Sequence, residues 1–397
     1  MIIINKLRKL ILHPNRYFYD YFRKKLKFRN GFVTSKIHFI DKSSGIKSFL
    51  NMLSHPYVYL YRIFNKRIGN PDFPVLVDWR IEGLPGDDGG KHMVMAVELE
   101  RNNILYFADP GLVLKAQSNQ EPNLERKVMA FSFQGGDNRV FIGPGVSFGK
   151  GCKFLFNGSG NYAHLESGSV FKPGVHINFA SNGNYFHAGN KTILLSGSRF
   201  DLGSNSLVYF CGNTRINRCN IGVTEDTVFF YGFGNTLNEF IFSLVKPGSN
   251  VLIGANCMLS VNIEIRTGDS HAIYDAQNKK RINPQRSVVI GDHVWIGHSV
   301  SIFKGTEIHD GSMIGTKSLL SGASIPERCV AAGVPARVIR KNILWTREDP
   351  YAENDFYVAP ENTPQAIGFE KLTKINEIDP KVSTKEKVKL IEKILKE

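Results

Sequence analysis

The sequence predicts a mainly β chain whose central part is a solenoid of six-residue repeats, and three observations support this prediction. An aliphatic residue recurs every six positions, at Ile290, Ile296, Ile302, Ile308, Ile314 and Leu320. Small or β-branched residues stand four positions further on, at Val294, Val300, Thr306, Ser312, Ser318 and Ser324. Glycine follows the aliphatic residue at Gly291, Gly297 and Gly315. A helix repeats every 3.6 residues or so and a strand about every 2, so neither gives this pattern, whereas stacked short strands would bury a continuous aliphatic core.

The repeat is less regular towards the N-terminus. From about Val140 the glycine and asparagine content rises, and apolar residues again stand six apart at Ile142, Phe148 and Phe154. Two architectures fit. Either the β-helix starts near residue 140 with coils of irregular length, or a separate β-rich insert precedes a helix that starts near Val251. We favour the first, and place the β-helix at residues 138–342, because Gly- and Asn-rich turns between aromatic strands suit a widened solenoid.

An excursion interrupts the regular repeat. Regular positions resume at Ile253, Leu259 and Ile265, but the next is Ile290, which is out of step with a spacing of six from Ile265. Residues 266–287 are therefore expected to loop out. A polar loop on a rigid solenoid can carry catalytic groups without disturbing the core, so we expect a catalytic loop here.

Three further segments flank the predicted β-helix. Residues 1–70 are basic and largely helical in pattern, and residues 71–137 read as strands and turns with no assigned role. Residues 343–397 form a C-terminal extension. It ends in an amphipathic helix with Val388, Ile391 and Leu395 on one side.

The net charge of +14 indicates an anionic partner. Residues 1–30 hold nine Lys and Arg against one Asp and interleave them with aliphatic and aromatic residues. This segment fits either peripheral contact with the anionic inner face of a membrane or an ordinary helical pair with solvated charges. Its apolar runs are too short for a transmembrane helix or a signal peptide, so a cytoplasmic protein is expected. Nucleic-acid binding is not expected, because the basic residues concentrate in this terminal segment.

The cysteines give no indication of a metal site. The five cysteines are scattered without paired spacing, so we expect reduced structural thiols and no metal. No nucleotide phosphate-loop pattern is present either.

Residues 288–342 closely resemble the hexapeptide-repeat acyltransferases of the left-handed β-helix fold, and among them most resemble the sugar O-acetyltransferases. The resemblance extends over roughly residues 248–345. It rests on the repeat and on three further motifs: TGDSHAI at 267–273, VWIG at 294–297 and AAGVPARVI at 331–339. It implies a β-helix domain between the N-terminal α+β extension and the C-terminal helix.

The resemblance implies roles for His271 and Trp295, and the aspartates next to His271 in sequence are candidates to assist it. His271 stands where these acetyltransferases carry the histidine that takes a proton from the acceptor hydroxyl. Asp269, or less favourably Asp275, is the carboxylate that would orient its imidazole. Trp295 would offer a stacking surface to the acceptor or the pantetheine arm, or lie at a subunit interface without touching a ligand. The backbone N–H near His298 would face the developing oxyanion.

Acetyl-CoA is the implied co-substrate, and its site would combine a groove of small residues with cations. The small residues are Gly297, Gly315, Ser321 and Ala323. The cations are Lys317, Arg337, Arg340 and Lys341. Ala332 and Pro335 lie in the final turn, which would contact the pantetheine and adenine, although Gly333 and Pro335 are equally explained as simple turn residues.

These expectations combine into an O-acetyltransferase that moves acetyl from acetyl-CoA to a sugar hydroxyl. The acceptor would be a bacterial-type surface polysaccharide (capsule, lipopolysaccharide or exopolysaccharide) or its precursor. The resemblance also implies a homotrimer with each active site between neighbouring β-helices. The alternatives are an N-acetyltransferase acting on a nucleotide-linked amino sugar, acetyl transfer to serine, and a noncatalytic β-helix that binds polysaccharide as a scaffold.

Overall fold

The computed structural model describes residues 76–83, 91–107, 131–239, 241–347 and 366–397. The predictions for the basic segment 1–30 and for helices within residues 1–70 lie outside the described residues. The chain divides into two compact units. Residues 1–129 and 139–145 form the first, and residues 130–138 and 146–397 form the second.

The first unit contains a small mixed sheet. Its strands are β1 (Leu76–Gly83), β2 (Lys91–Leu99), β3 (Asn103–Phe107) and β5 (Arg139–Ile142), with one turn of 3₁₀ helix at Glu100–Asn102. Strands β1, β2 and β3 pair antiparallel, and β5 runs parallel to β3. The rings of Tyr106 and Phe141 stack at 4.5 Å, so aromatic packing supports the parallel pair.

The second unit consists of short strands in three sheets and two C-terminal helices. Sheet I contains β8 (Tyr162–Leu165), β11 (Tyr185–Ala188), β14 (Leu207–Phe210), β17 (Val228–Tyr231), β20 (Asn250–Ile253), β23 (Val288–Ile290), β26 (Glu307–Ile308) and β29 (Ser324–Ile325). Sheet II contains β6 (Ser147–Phe148), β9 (Val170–Phe171), β12 (Ile193–Leu194), β15 (Arg215–Ile216), β18 (Thr236–Leu237), β21 (Met258–Leu259), β24 (Trp295–Ile296), β27 (Met313–Ile314), β30 (Val330–Gly333) and β31 (Ala336–Arg340). Sheet III contains β4 (Phe131–Phe133), β7 (Lys153–Phe156), β10 (His176–Phe179), β13 (Arg199–Leu202), β16 (Cys219–Val223), β19 (Ile241–Val245), β22 (Ile263–Arg266), β25 (Ser301–Phe303) and β28 (Leu319–Ser321).

The chain visits sheets I, II and III in turn and then returns to sheet I, so each circuit is one three-sided coil. Strands of successive coils pair in parallel and in register, and the final pair, β30 and β31, is antiparallel. The aliphatic positions of the hexads from Ile290 to Leu320 are all fully buried. The predicted mainly β solenoid with a C-terminal helix is confirmed.

The coils become shorter along the chain. Asn161 and Asn184 occupy equivalent positions on successive coils and stand 23 residues apart, whereas the equivalent Asp292 and Asp310 stand 18 residues apart. The earlier, wide coils have strands of four or five residues in sheets I and III. Their interior is filled by aromatic side chains: Phe154, Phe156, Phe179, Phe186, Phe200, Phe210 and Phe229. Isoleucine and valine fill the later, narrow coils, because a close-packed interior needs side-chain volume that matches its cross-section.

Asparagine side chains link the turns of the wide coils. The Asn138 side-chain oxygen accepts a hydrogen bond from the Asn161 backbone N–H at 2.9 Å, and Asn161 does the same for Asn184 at 2.8 Å. All three residues are fully buried. The asparagine content of this region therefore satisfies backbone donors where the ladder turns a corner.

Two helices cover the outer face of sheet I. They are α1 (Phe369–Asn376) and α2 (Thr384–Lys396), and the side chain of Ser383 caps α2 by accepting from the Glu386 N–H. The apolar contact joins helix residues to outward-facing strand residues: Leu372, Ile375, Val388, Ile391, Tyr185, Tyr209 and Phe230. Within the described residues, neither helix has the length and apolar character needed to cross a membrane.

A buried carboxylate fixes the start of this helical cover. Asp292 follows β23 and is 7 % exposed. One of its oxygens accepts from the Ala255 N–H, and the other accepts from the N–H groups of Ile367 and Gly368, all at 2.6 Å. The Asp292 side chain therefore links the preceding coil to the segment that leads into α1.

We predict that Asp292→Ala loosens the helical cover, because three backbone N–H groups lose their acceptor. The expected loss in the free energy of unfolding is about 2–5 kcal/mol. Urea unfolding measures this loss, and hydrogen exchange should show faster exchange at residues 366–397. Glu370→Gln removes an exposed carboxylate from the first turn of α1 and should change stability by less than about 0.5 kcal/mol. Wild-type exchange rates in Asp292→Ala would contradict this role.

Candidate functional site

The excursion between β22 and β23 is an ordered hairpin at the corner between sheets III and I. At its base the Arg286 N–H donates to the Thr267 carbonyl, and the buried Thr267 hydroxyl oxygen accepts from the Lys246 N–H at 2.7 Å. At its tip the Ile282 N–H donates to the Ile273 carbonyl. The hairpin holds its shape through backbone bonds, so a side chain on it has a defined position.

Asn283 fixes the backbone around His271. Its side-chain oxygen accepts from the Ile273 N–H at 2.7 Å, and its amide nitrogen donates to the His271 carbonyl at 2.8 Å and to Asp269 at 2.7 Å. Asn283 is buried, whereas the side chain of His271 is exposed. The side chain of His271 therefore faces solvent, while hydrogen bonds to the buried Asn283 fix its backbone.

The Asp269 carboxylate is paired with a lysine. Its Oδ2 accepts from the Lys304 ammonium at 2.6 Å as well as from Asn283. The hydrogen bond from Lys304, followed by that from Asn283, lowers the pKa of Asp269. In the described hairpin no hydrogen bond joins Asp269 to the imidazole of His271, so its orienting role remains a prediction. Asp275 caps a turn by accepting from the N–H groups of Gln277 and Asn278.

A cavity of about 290 Å³ lies beside the hairpin on the outer face of sheet III. Its lining residues come from β22, β25, β28 and the start of the hairpin: Glu264, Arg266, Gly268, Asp269, Ser270, Phe303, Lys304 and Ser321. It combines an aromatic face with cations and hydroxyl groups, which are the features that bind a sugar ring. Ser321 lies here and not with the small residues predicted to line a groove beside Gly297.

The residues predicted to line a small-residue groove lie where the chain leaves sheet II. Gly297, Gly315 and Ala332 follow one another on successive coils, since Gly297 N–H bonds to Ile314 carbonyl and Gly315 N–H to Ala331 carbonyl. A Cβ on Gly297 would lie 2.8 Å from the Ile314 oxygen, and one on Gly315 would lie 2.9 Å from the Ala332 Cβ. Close approach of the coils therefore requires glycine here, whatever ligand the groove takes.

Cations surround the end of this groove. Lys317 is exposed two residues after Gly315, and its backbone N–H donates to the His298 carbonyl at 2.8 Å. Pro335 lies in the turn between β30 and β31, and Arg337 and Arg340 follow on β31. All three of these residues are exposed. Arg337 pairs with Ala332, whereas Arg340 pairs with Val330 at the start of β30, and the role of these residues in binding acetyl-CoA remains a prediction.

Trp295 lies on the outer face of sheet II. In β24 it pairs with Met258 on one side and Met313 on the other, and its ring lies 5.9 Å from that of Trp345. Trp345 itself stacks on His293 at 3.9 Å. Sheet II is the side opposite the corner that carries His271, so one chain does not bring Trp295 and His271 together.

Asn283 and Lys304 were not predicted from the sequence. Asn283 stands 12 residues from His271 with no periodic signal, and Lys304 reaches Asp269 from 35 residues away. The one available signal was topological, since Lys304 follows β25 at the same corner as the hairpin.

Among the residues that the structure describes, one group of side chains is close enough to hold a metal ion. It comprises His164, Glu166 and His187 on the outer face of sheet I. The expectation of no metal rested on cysteine spacing and did not consider this group.

Comparisons with known proteins identify similar sequences. The chain is 37% identical over 108 residues to a polysialic acid O-acetyltransferase of Escherichia coli O1:K1 / APEC, which is 27% of this chain and 35% of that protein. It is 30% identical over 129 residues to a polysialic acid O-acetyltransferase of Neisseria meningitidis, which is 31% of this chain and 60% of that one. The solved structure of the polySia-specific acetyltransferase NeuO is similar at 29% identity and a TM-score of 0.42, over 56% of this chain and 92% of that chain.

The chain spans about a third to three fifths of the length of these curated relatives. No family model matches it. The predicted resemblance of the repeat region to sugar and polysaccharide O-acetyltransferases is confirmed.

We predict that Asn283→Ala loosens the hairpin without unfolding the β-helix. Four side-chain hydrogen bonds disappear, so amides around Ile273 should exchange at least about tenfold faster, while the thermal unfolding of the remaining chain changes little. Asn283→Asp is the matched variant, because it keeps the acceptor for the Ile273 N–H and loses both donors. Amides around Ile273 in Asn283→Asp should exchange faster than in the wild type. Their rate should be close to that of Asn283→Ala or above it, because the new carboxylate would face Asp269. Unchanged exchange in both variants would remove Asn283 as the positioning residue.

Proposed function

We propose that this chain is an acetyl-CoA-dependent O-acetyltransferase that acts on a hydroxyl of a surface polysaccharide or its precursor, with His271 as general base. The observation that carries the proposal is the ordered presentation of His271, held through its carbonyl by the buried Asn283, next to Asp269 and Ser270, which line a cavity. The similarity of the repeat region to polysialic acid O-acetyltransferases supports the choice of reaction.

The chemistry requires a proton acceptor close to the sugar hydroxyl. His271 takes the hydroxyl proton as the oxygen attacks the thioester carbonyl carbon. The tetrahedral intermediate collapses, its carbon–sulfur bond breaks, and the new ester remains on the sugar. The His271 imidazolium then returns the proton to the departing sulfur, so CoA leaves as a thiol and the base is regenerated.

The cavity beside the hairpin suits an acidic acceptor. Phe303 supplies a flat apolar surface for a sugar ring. Arg266 and Lys304 pair with Glu264 and Asp269 on the same wall, and we propose that they exchange these partners for a carboxylate of the acceptor. The relatives are named for polysialic acid, which is an acidic polymer, and the net charge of +14 favours the approach of such a polymer. We therefore place the acceptor in this cavity and propose that it carries carboxylates.

The small-residue groove fits acetyl-CoA. Gly297, Gly315 and Ala332 carry at most a methyl group, so a narrow pantetheine arm would lie along nearly bare backbone, and the exposed Lys317, Arg337 and Arg340 would meet the phosphates. This groove lies between sheets II and III, whereas His271 lies between sheets III and I. A complete site therefore needs the groove of a second copy, which supports a homotrimer.

Exposed apolar side chains support the same assembly. In the part of the chain that the structure describes, the large apolar residues that are more than half exposed lie in two places. The loop patch contains Ile273, Tyr274 and Ile282, and the end patch contains Val334, Ile339 and Leu344. One patch adjoins His271 and the other adjoins the groove, so contact between copies would bury both and join the two halves of the site.

We predict that His271→Ala lowers kcat for acetyl transfer by about 10²–10⁴-fold with little change in acetyl-CoA affinity. The measurement is thiol release from acetyl-CoA, with the host's surface polysaccharide as acceptor after mild alkaline removal of its esters. His176→Ala, an outward histidine on β10, is the matched control and should retain wild-type kcat. Full activity in His271→Ala would reject the general base. Absence of both activity and acetyl-CoA binding in the wild type would favour a noncatalytic scaffold.

Mixed oligomers test the shared site. Arg337→Glu/Arg340→Glu, on the groove, and His271→Ala, on the hairpin, should each be nearly inactive at low acetyl-CoA concentration. Co-expressed in equal amounts, they should recover about a quarter of wild-type activity, because about one site in four then combines an intact hairpin with an intact groove. Sedimentation confirms that the variants still assemble. If each chain held its own complete site, mixing would restore nothing.

A further inference from the structure

A second cluster of metal-binding side chains lies far from the hairpin, on the outer face of sheet I. His164 on β8 stands directly beside His187 on β11 in the parallel register, and their ring centroids are 5.1 Å apart. Glu166 follows His164 by two residues and so projects from the same face. The ligand atoms of all three side chains lie within 4.8 Å of one another.

Hydrogen bonds orient His187 and Glu166 towards each other. Nδ1 of His187 lies 3.1 Å from the Phe210 carbonyl oxygen, which can only accept, so Nδ1 carries the hydrogen. Nε2 of His187 then faces the Glu166 Oε1 at 3.0 Å. Two acceptors that face each other need a positive particle between them, which is either a second proton on the ring or a cation.

The surroundings hold this arrangement in place. The ring of His187 stacks on that of Tyr209 at 4.2 Å. The other oxygen of Glu166 accepts from the Asn190 N–H at 2.8 Å. Metal ligands commonly have such hydrogen bonds on the side away from the metal. The Phe210 carbonyl fixes the tautomer of His187, and the Asn190 N–H fixes the direction of the Glu166 carboxylate.

We propose that His164, Glu166 and His187 form a binding site for a divalent transition metal ion, with zinc as its natural probe. Two imidazoles and one carboxylate are a recurrent zinc ligand set. Bonds of about 2.0–2.1 Å in a tetrahedral site separate ligand atoms by about 3.4 Å, so closure of the cluster needs side-chain shifts of roughly 1 Å. Adjacent strands of one sheet fix the backbone of the ligands, so rotation of the side chains alone can supply this small shift.

The site leaves one position for water. His164 and His187 are 7 % and 3 % exposed, whereas the side chain of Glu166 is 35 % exposed. The metal would therefore be reached from the Glu166 side and carry a solvent ligand there. Four strand spacings of about 4.8 Å separate β11 from β23, where the catalytic hairpin ends, so this metal would lie on the order of 19 Å away and act on the coils, not on acetyl transfer.

The test uses the full-length chain without a histidine tag. Both proteins are equilibrated with zinc and the excess is removed. Elemental analysis should then find one more zinc per chain in the wild type than in the His164→Gln/His187→Gln variant. Competition with a chromophoric chelator should give an affinity that falls by at least about 100-fold in Glu166→Gln and in His187→Gln. His176→Ala, which removes an outward histidine from sheet III, should bind as the wild type does. Zinc should also raise the Tm of the wild type and not that of the double variant.

A measurement on the wild type alone covers the case in which the variants do not fold. X-ray absorption at the zinc edge should show only nitrogen and oxygen ligands, with the outer scattering of two imidazoles. A sulfur ligand would place the metal at a cysteine and overturn the proposal. So would failure of the wild type to retain stoichiometric zinc, in which case His187 and Glu166 contact only each other. Equal affinity in folded double variant and wild type would reject it as well.

Discussion

The in-register stacking of parallel coils is the constraint on which the rest of this structure depends. Each strand bonds to the strand one coil away in the same sheet, and each inward side chain packs on its equivalent, as Phe156 does on Phe179 at 4.3 Å. A strand within a coil therefore cannot gain a residue freely, because the extra residue would shift that strand out of register with its neighbours. Extra residues either lengthen equivalent strands in many coils or leave the ladder at a corner, as residues 267–287 do.

The corners separate the chemical groups of the chain. The hairpin with His271 leaves the corner between sheets III and I, while the stripe of Gly297, Gly315 and Ala332 follows the exit of sheet II. Two exposed apolar patches adjoin these places. Under the proposed function, assembly of several copies is thus part of the active site, since a rigid three-sided solenoid cannot fold one corner onto another.

The outer face of sheet I has a different use. Its apolar strand residues meet α1 and α2, and the Asp292 carboxylate holds the entry to α1. The same ladder of outward positions carries His164 and His187, one coil apart, beyond Tyr209. One row of equivalent positions therefore changes from imidazole to aromatic and then to aliphatic at Leu252 and Val289, before it becomes polar at Glu307.

The sequence by itself determined the solenoid, the buried hexad positions from Ile290 to Leu320 and the helix near the C-terminus, because each follows from a short-range pattern that a six- or 3.6-residue period expresses locally. It also indicated where the hairpin leaves the repeat. Only the tertiary structure decided which polar residues meet: Asn283 with His271, Lys304 with Asp269, and His164 with His187. The two histidines are neighbours because aromatic packing sets the length of the wide coil, and a coil length fixed by interior volume leaves no local signal.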